Sequence, residues 1–372
     1  MKTMARIGAA QPRHTTTSSR FLPLLTFIVV VLAPFATRAE FTRTISDGEV
    51  TITGHTSLGG LVFIPATLEG LPVTRIGEAA FANSWSITHV AIPESVRYIG
   101  SRAFQGCRKL KSIAVAKGNP SFAAVDGVLF DKTRAELVQY PPAKWVETYN
   151  VPEGTTSIRA WAFDGCESYA DSSCAPLARI RIPGSVTSIG EGAFDGCPYL
   201  QSVEVEENNA FYSGMDGVLL DKAGTRLLLY PRSRRHWTYT IPAGVTSIPP
   251  LAFAGNHRLA RAIIPAGVKS IGERAFDGCW SLESVQVDPD NPAYSSIDGV
   301  LFNKQATALL LYPKAKSRNH SSYSIPDGVV SVGDRAFSAA YDLTHIILAQ
   351  SVTSIGAWAF QGCANLSRVS IP

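Results

Sequence analysis

Residues 264 to 287 read Ile-Pro-Ala-Gly-Val-Lys-Ser-Ile-Gly-Glu-Arg-Ala-Phe-Asp-Gly-Cys-Trp-Ser-Leu-Glu-Ser-Val-Gln-Val, and the chain is built from copies of this unit, inserts and ends. The same pattern starts at Ile64, Ile92, Val151, Ile182, Ile241, Ile264, Ile325 and Leu348. Starts at 241 and 264, and again at 325 and 348, lie 23 residues apart. A unit this short cannot bury an apolar face alone, so copies must stack into a solenoid in which each touches its neighbours. Each coil is then a short strand, a turn and a loosely helical return.

Most copies continue as Pro-x-x-Val-x-x-Ile-Gly-x-x-Ala-Phe-x-Gly-Cys-x-x-Leu-x-x-Val, and the run joining Leu-x-x-Val to the next Ile-Pro or Val-x-Val reads clearly from Leu110, Leu200 and Leu282. This resembles the BspA-type leucine-rich repeat family, over roughly residues 41 to 372. The 23-residue period fits the range of leucine-rich repeats, roughly 20 to 29. The resemblance implies a repeat solenoid of short parallel strands with irregular or loosely helical returns. It also implies a class of surface-exposed proteins linked to attachment to host or matrix proteins. A shared scaffold carries no shared reaction.

The amino terminus reads as an export signal over residues 1–39. Basic residues up to Arg20 precede an apolar run from Phe21 to Phe35, and Thr37-Arg38-Ala39 supplies small residues for cleavage after Ala39. This segment also distorts the charge balance. The whole chain carries 34 Lys and Arg against 30 Asp and Glu; five of the basic residues and none of the acids lie in residues 1–39, so the remainder holds 29 against 30, net −1. Nucleic acid is thus not an expected partner. No later stretch is apolar and long enough to span a bilayer, which predicts a secreted, cell-surface or envelope location. Residues 40–63 read as a β-hairpin cap around Asp47-Gly48, and residues 64–372 as the solenoid. It stops at Ile371-Pro372, the opening of a further unit.

Three coils end in Val-x-Val at Val115, Val205 and Val287, and each is followed by a longer segment. These share an Asn-containing start, then Asp-Gly-Val-Leu, then Asp-Lys, or Asn-Lys in the third, and a Leu-rich run ending in Tyr-Pro, and they close on Tyr149, Tyr239 and Tyr323. The pattern predicts enlarged coils with β-hairpin inserts, such as Val128 to Tyr140, rather than linkers. Pro249-Pro250 replaces the usual Gly and predicts a local irregularity. Glu167 to Pro176 reads as a bulge carrying Cys174.

The inward residues should include one aromatic column: Phe81, Phe104, Phe163, Phe194, Phe253, Phe276, Phe337 and Phe360. Gly100 and Gly190, after Ile, are expected to supply positive φ at a corner. Cys107, Cys279 and Cys363 recur at one repeat position and read as buried free thiols. One disulfide among Cys166, Cys174 and Cys197 is a further expectation.

Chemistry is sparse. The seven histidines show no metal-binding spacing, and no nucleophile elbow or phosphate loop occurs. The Asp-Gly pairs at Asp126, Asp216 and Asp298 read as turns, lacking the alternating acids of a calcium loop. No cofactor, metal or catalytic residue is implied. Two surfaces remain as candidates for a macromolecular ligand, a protein or an anionic glycan. The strand face presents Arg179, Arg181, Arg261 and His345. The loops after each Tyr-Pro present Lys144-Trp145, then Arg232, Arg234, Arg235 and Trp237, then Lys314, Lys316 and Arg318, which would align into a cationic stripe. The reading is an exported, non-catalytic interaction or adhesion module. A structural spacer within a larger envelope protein is the alternative.

Overall fold

The computed structural model describes residues 41–56, 59–165 and 177–371. The leader, Cys166 and the 167–176 bulge with Cys174 lie outside the described residues.

Val, Ile and Leu at alternate positions give short strands that bury one face. They form a first ladder of parallel strands in groups of three: Gly60–Phe63, Ile87–Ile92 and Ser112–Val115; Thr148–Asn150, Arg179–Ile182 and Ser202–Val205; Thr238–Thr240, Arg261–Ile264 and Ser284–Val287; Ser322–Ser324, His345–Ile347 and Arg368–Ser370. Register is one-to-one, as in Thr148↔Arg179↔Ser202. Gly60–Phe63, grouped with the cap on sequence, pairs in parallel with Ile87–Ile92 and so opens this ladder. The returns are mostly hydrogen-bonded turns. They carry a second ladder of two-residue strands, exemplified by Ser157–Ile158, Ser188–Ile189 and Ser270–Ile271.

The hairpin Phe41–Ser46 with Glu49–His55 turns at Asp47 (φ 53°) and Gly48 (φ 74°). Its second strand pairs in parallel with Leu71–Ile76, extending the second ladder.

Each insert is a coil with a hairpin grown into it. The strand Glu136–Gln139 takes the place of a Ser-Ile strand, with Leu137 opposite Ile158, and Ala308–Leu311 does the same, with Leu309 opposite Val332. In the second insert only an isolated bridge, Arg226 to Ser247, marks this pairing. The reason is Pro249. In the coils with a residue bearing N–H there, that amide donates back one coil, as Arg159 does to Leu137 O at 2.9 Å and Gly333 to Leu309 O at 2.8 Å; Pro249 has none to give.

The preceding hairpin strands, Val128–Asp131, Val218–Asp221 and Val300–Asn303, are buried on both sides, which explains their unbroken Val-Leu-Phe or Val-Leu-Leu runs. Val128 and Phe130 point into the core that follows, while Leu129 points into the core that precedes. The hairpins therefore partition the interior into separate apolar clusters.

This partition corrects the single aromatic column. Tyr140, Tyr230 and Tyr312 of the Tyr-Pro pairs occupy the Phe position of the insert coils. Their amides donate to Ala162, Ala252 and Ala336 O, as the Phe253 amide does to Ala275 O at 2.8 Å. The rings form triads instead: Tyr140, Phe163 and Phe194; Tyr230, Phe253 and Phe276; Tyr312, Phe337 and Phe360, with neighbouring centroids 4.9 to 5.4 Å apart. Phe81 stacks on Phe104 at 5.4 Å in the first group. Truncating such a ring to Ala costs about 3–5 kcal/mol. Phe360, in the last described coil, is only partly buried.

The glycine after Ile is also reassigned. Gly100 and Gly190 do not have positive φ. They are needed for contact: a Cβ on Gly190 would lie 2.2 Å from Ala160 N, and one on Gly100 2.5 Å from Glu78 N, both backbone atoms of the coil below. The left-handed conformation falls two residues later, on Ala79, Arg102, Trp161, Leu251, Arg274, Arg335 and Trp358, with φ between 52° and 63°. Gly192 holds the same position at φ 62°.

Cys107, Cys197, Cys279 and Cys363 are free thiols, so the expected bridge does not involve Cys197; the first three are buried, whereas Cys363, expected to be buried, is only partly so because it lies in the last described coil. Three of them donate Sγ–H to the Phe carbonyl of the preceding coil, at 3.1 Å in Cys107 to Phe81, Cys279 to Phe253 and Cys363 to Phe337. Burial pushes the Cys107, Cys197 and Cys279 thiols up to about 12.

Candidate ligand-binding faces

On the first ladder, residues between the inward ones face outward. The middle strand of each group of three opens its outward row with a basic side chain: His89, Arg179, Arg261 and His345. Hydroxyl residues flank Arg179 and Arg261 in register, giving the rungs Thr148, Arg179, Ser202 and Thr238, Arg261, Ser284, whereas His345 stands between Ser322 and Arg368.

The cations differ in how far they are committed. Arg179 bonds Glu147 at 2.9 Å and Thr148 Oγ1 at 3.0 Å, and Arg181 bonds Glu204 at 2.6 Å. His345 Nε2 lies 3.0 Å from Ser370 Oγ. Arg261 is exposed between Thr238 and Ser284. Burial and then the charge of Lys111 lower the pKa of His89.

The loop stripe is largely consumed from within. Arg234 and Lys316 are buried, at 3% and 8% exposure, and each pairs with the Asp of its own Asp-Gly turn, Asp216 and Asp298. Lys144 does the same with Asp126 at 2.7 Å. Each cation lies 18 residues after its Asp, a constant spacing that could have revealed the pair in the sequence. The physical reason is proximity: the turn accepts an amide from the adjacent first-ladder strand, as Gly217 O does from Val203, and the loop cation closes over it. Lys314, also 8% exposed, lies 4.6 Å over the Trp280 ring and 3.2 Å from Asp277. Arg232, Arg235, Trp237 and Arg318 keep solvent access; Arg318 donates to Trp280 O at 3.2 Å. The loops thus offer scattered charges and two exposed indoles, Trp145 and Trp237.

The sequence pattern of the BspA type leucine rich repeat region matches residues 71–141, 144–214, 233–308 and 315–372, in six copies. The chain belongs to the BspA type leucine rich repeat family. No curated protein matches it. Among solved structures it is similar to a leucine rich cell surface protein from Faecalibacterium prausnitzii, with 25% identity over 92% of this chain and 95% of that one and a TM-score of 0.48. It is also similar to the pneumococcal vaccine antigen PcpA, with 21% identity over 91% and 69% and a TM-score of 0.37. A leucine-rich repeat protein from Eubacterium ventriosum shares 20% identity over 91% and 83%, at a TM-score of 0.47. Among the described residues no helix is long and apolar enough to cross a membrane, and no three His, Cys, Asp or Glu side chains cluster as metal ligands.

Proposed function

We propose that this chain is an exported, non-catalytic binding module that contacts an acidic macromolecule, a protein or an anionic glycan, through its first-ladder face. The observation that supports this is the basic side chain that recurs on the middle strand of each group, at His89, Arg179, Arg261 and His345, and that is both exposed and set between hydroxyls at Arg261. The rungs lie on separate three-stranded sheets, so one basic side chain recurs per group along the face. That suits an extended partner with periodic charge. The leader-like residues 1–39 and the family membership support work outside the cell.

The test is binding of the purified protein to immobilised sulfated glycans and matrix proteins, at low and moderate salt. Arg261→Ser together with Arg179→Ser and His345→Ser should weaken binding by tenfold or more, with a steep salt dependence. Arg232→Glu with Arg235→Glu should change it little. Absence of binding across the panel at both salts, or loss through the loop variant alone, would refute the reading.

A further inference from the structure

Where each insert hairpin enters, the second ladder is split. Ile189 and Ile271 end their sheets here, and their amides donate instead to Tyr212 and Tyr294 hydroxyls, both at 2.9 Å. The three splits are equivalent by sequence, yet differently closed.

In the first split, Arg159 crosses to donate to Ile99 O at 3.2 Å, and the Arg102 guanidinium lies 4.1 Å from the Trp161 ring on the far side. Its floor carries Gln139, 5% exposed and bonded to the carbonyls of Tyr140, Ala162 and Asp164. In the third split the matching residues are Gly333 for Arg159, Arg274 for Arg102, Arg335 for Trp161 and Leu311 for Gln139. Two guanidiniums cannot stack as a guanidinium and an indole do. Arg274 turns back to Asp277 at 2.7 Å, and Arg335 turns to Trp358, 4.5 Å from its ring, and to Gln361 at 2.9 Å. What remains is a cleft of about 330 Å³, lined by the apolar Phe276, Tyr294, Leu301, Leu310 and Leu311 together with the charged Arg274, Arg335, Lys314, Glu273, Asp277 and Asp334.

We propose that this third cleft docks an aromatic side chain, an indole above all, presented by a partner protein. The first split displays the chemistry: an aromatic face under a guanidinium closes it. In the third, Arg274 and an apolar floor are present, while the place of the Trp161 ring is taken by Arg335, which is drawn off to Trp358, so the ring that faces the guanidinium in the first split is the missing component. This face is distinct from the first-ladder face, so the proposal stands apart from that reading.

N-acetyl-tryptophanamide is the probe, with N-acetyl-leucinamide beside it, followed by methyl chemical shifts of Leu310 and Leu311 in the full-length protein. The expected result is saturable shifts with the tryptophan probe and at least tenfold weaker response to the leucine one. Arg335→Trp rebuilds the closure of the first split and should raise the apparent Kd at least tenfold while raising the melting temperature. Leu311→Gln, which restores the polar floor of the first split, is a second variant should the first fail to fold, and it should weaken binding as well. No shift at millimolar probe, equal response to both probes, or binding untouched in the folded variants would overturn the proposal.

Discussion

Asn209 begins the second insert and is 0% exposed. Its Nδ2 donates to Pro183 O at 2.8 Å and Val186 O at 2.9 Å, two carbonyls of the preceding coil, while Oδ1 accepts from the Phe211 and Tyr212 amides at 2.9 and 2.8 Å. One side chain thereby fastens the hairpin to the turn beneath it. Asn209→Ala removes all four bonds. Pro183 O keeps the Val186 amide at 3.3 Å, and the Phe211 amide belongs to an exposed residue that water can reach. The Val186 carbonyl and Tyr212 amide are then the stranded groups. Each buried polar group left without a partner costs about 1–3 kcal/mol, so the expected loss is about 4 kcal/mol. Asn208→Ala, at the exposed neighbour, should stay within about 0.5 kcal/mol. Urea unfolding measures both, together with native-state hydrogen exchange across residues 212–221, because long repeat arrays need not unfold in one step. If Asn209→Ala melts with Asn208→Ala and exchange over that hairpin is unchanged, the clasp contributes nothing and the reasoning fails. Asn119 and Asn291, equally buried and bonded in the same pattern, should repeat the result.

Gly190→Ala forces a Cβ against the Ala160 backbone and should cost at least the 1–3 kcal/mol typical of overpacking, whereas Gly224→Ala, which meets nothing within 4 Å but has φ 68°, should lose only about 1 kcal/mol, both read from thermal melts. The thiols of Cys107, Cys197 and Cys279, pushed to about 12 by burial, should resist a thiol reagent at pH 8 in native protein and react on unfolding, with half-buried Cys363 reacting first. Burial pushes the Asp277 carboxyl up, but its bonds to Arg274 and Lys314 and their charges outweigh that and hold it below the ordinary 3.8. A depressed acid lends stability that is whole above 3.8 and lost as pH falls through the folded value, so Asp277→Asn should be less stable at neutral pH and flatter in acid titration below 3.8.

How far the fold could be read ahead follows from what repeats. A side chain that must recur in every coil leaves a periodic trace, so the strands, the inward Phe and the buried Cys were visible in order. The hairpin was legible too, from Asp-Gly turns between apolar runs. Tyr140, Tyr230 and Tyr312 were in plain view, but that they serve as Phe depends on the insert strand replacing a Ser-Ile strand, a pairing between coils. Gly190 looked like a corner glycine because sequence shows which residue lacks a Cβ and not which backbone lies against it.

The linear chain alone determined the period and the parallel stacking, since each rests on local pattern and the need to bury one face of a short unit. Only the tertiary structure decided which charges are offered to a partner. Lys144, Arg234 and Lys316 carry formal charge in any reading of composition, but closure onto Asp126, Asp216 and Asp298 withdraws them from the surface. The same holds for the three splits: their residues are written in the sequence, yet whether two of them meet as guanidinium on indole or turn apart as two guanidiniums is settled by what lies across a gap between coils.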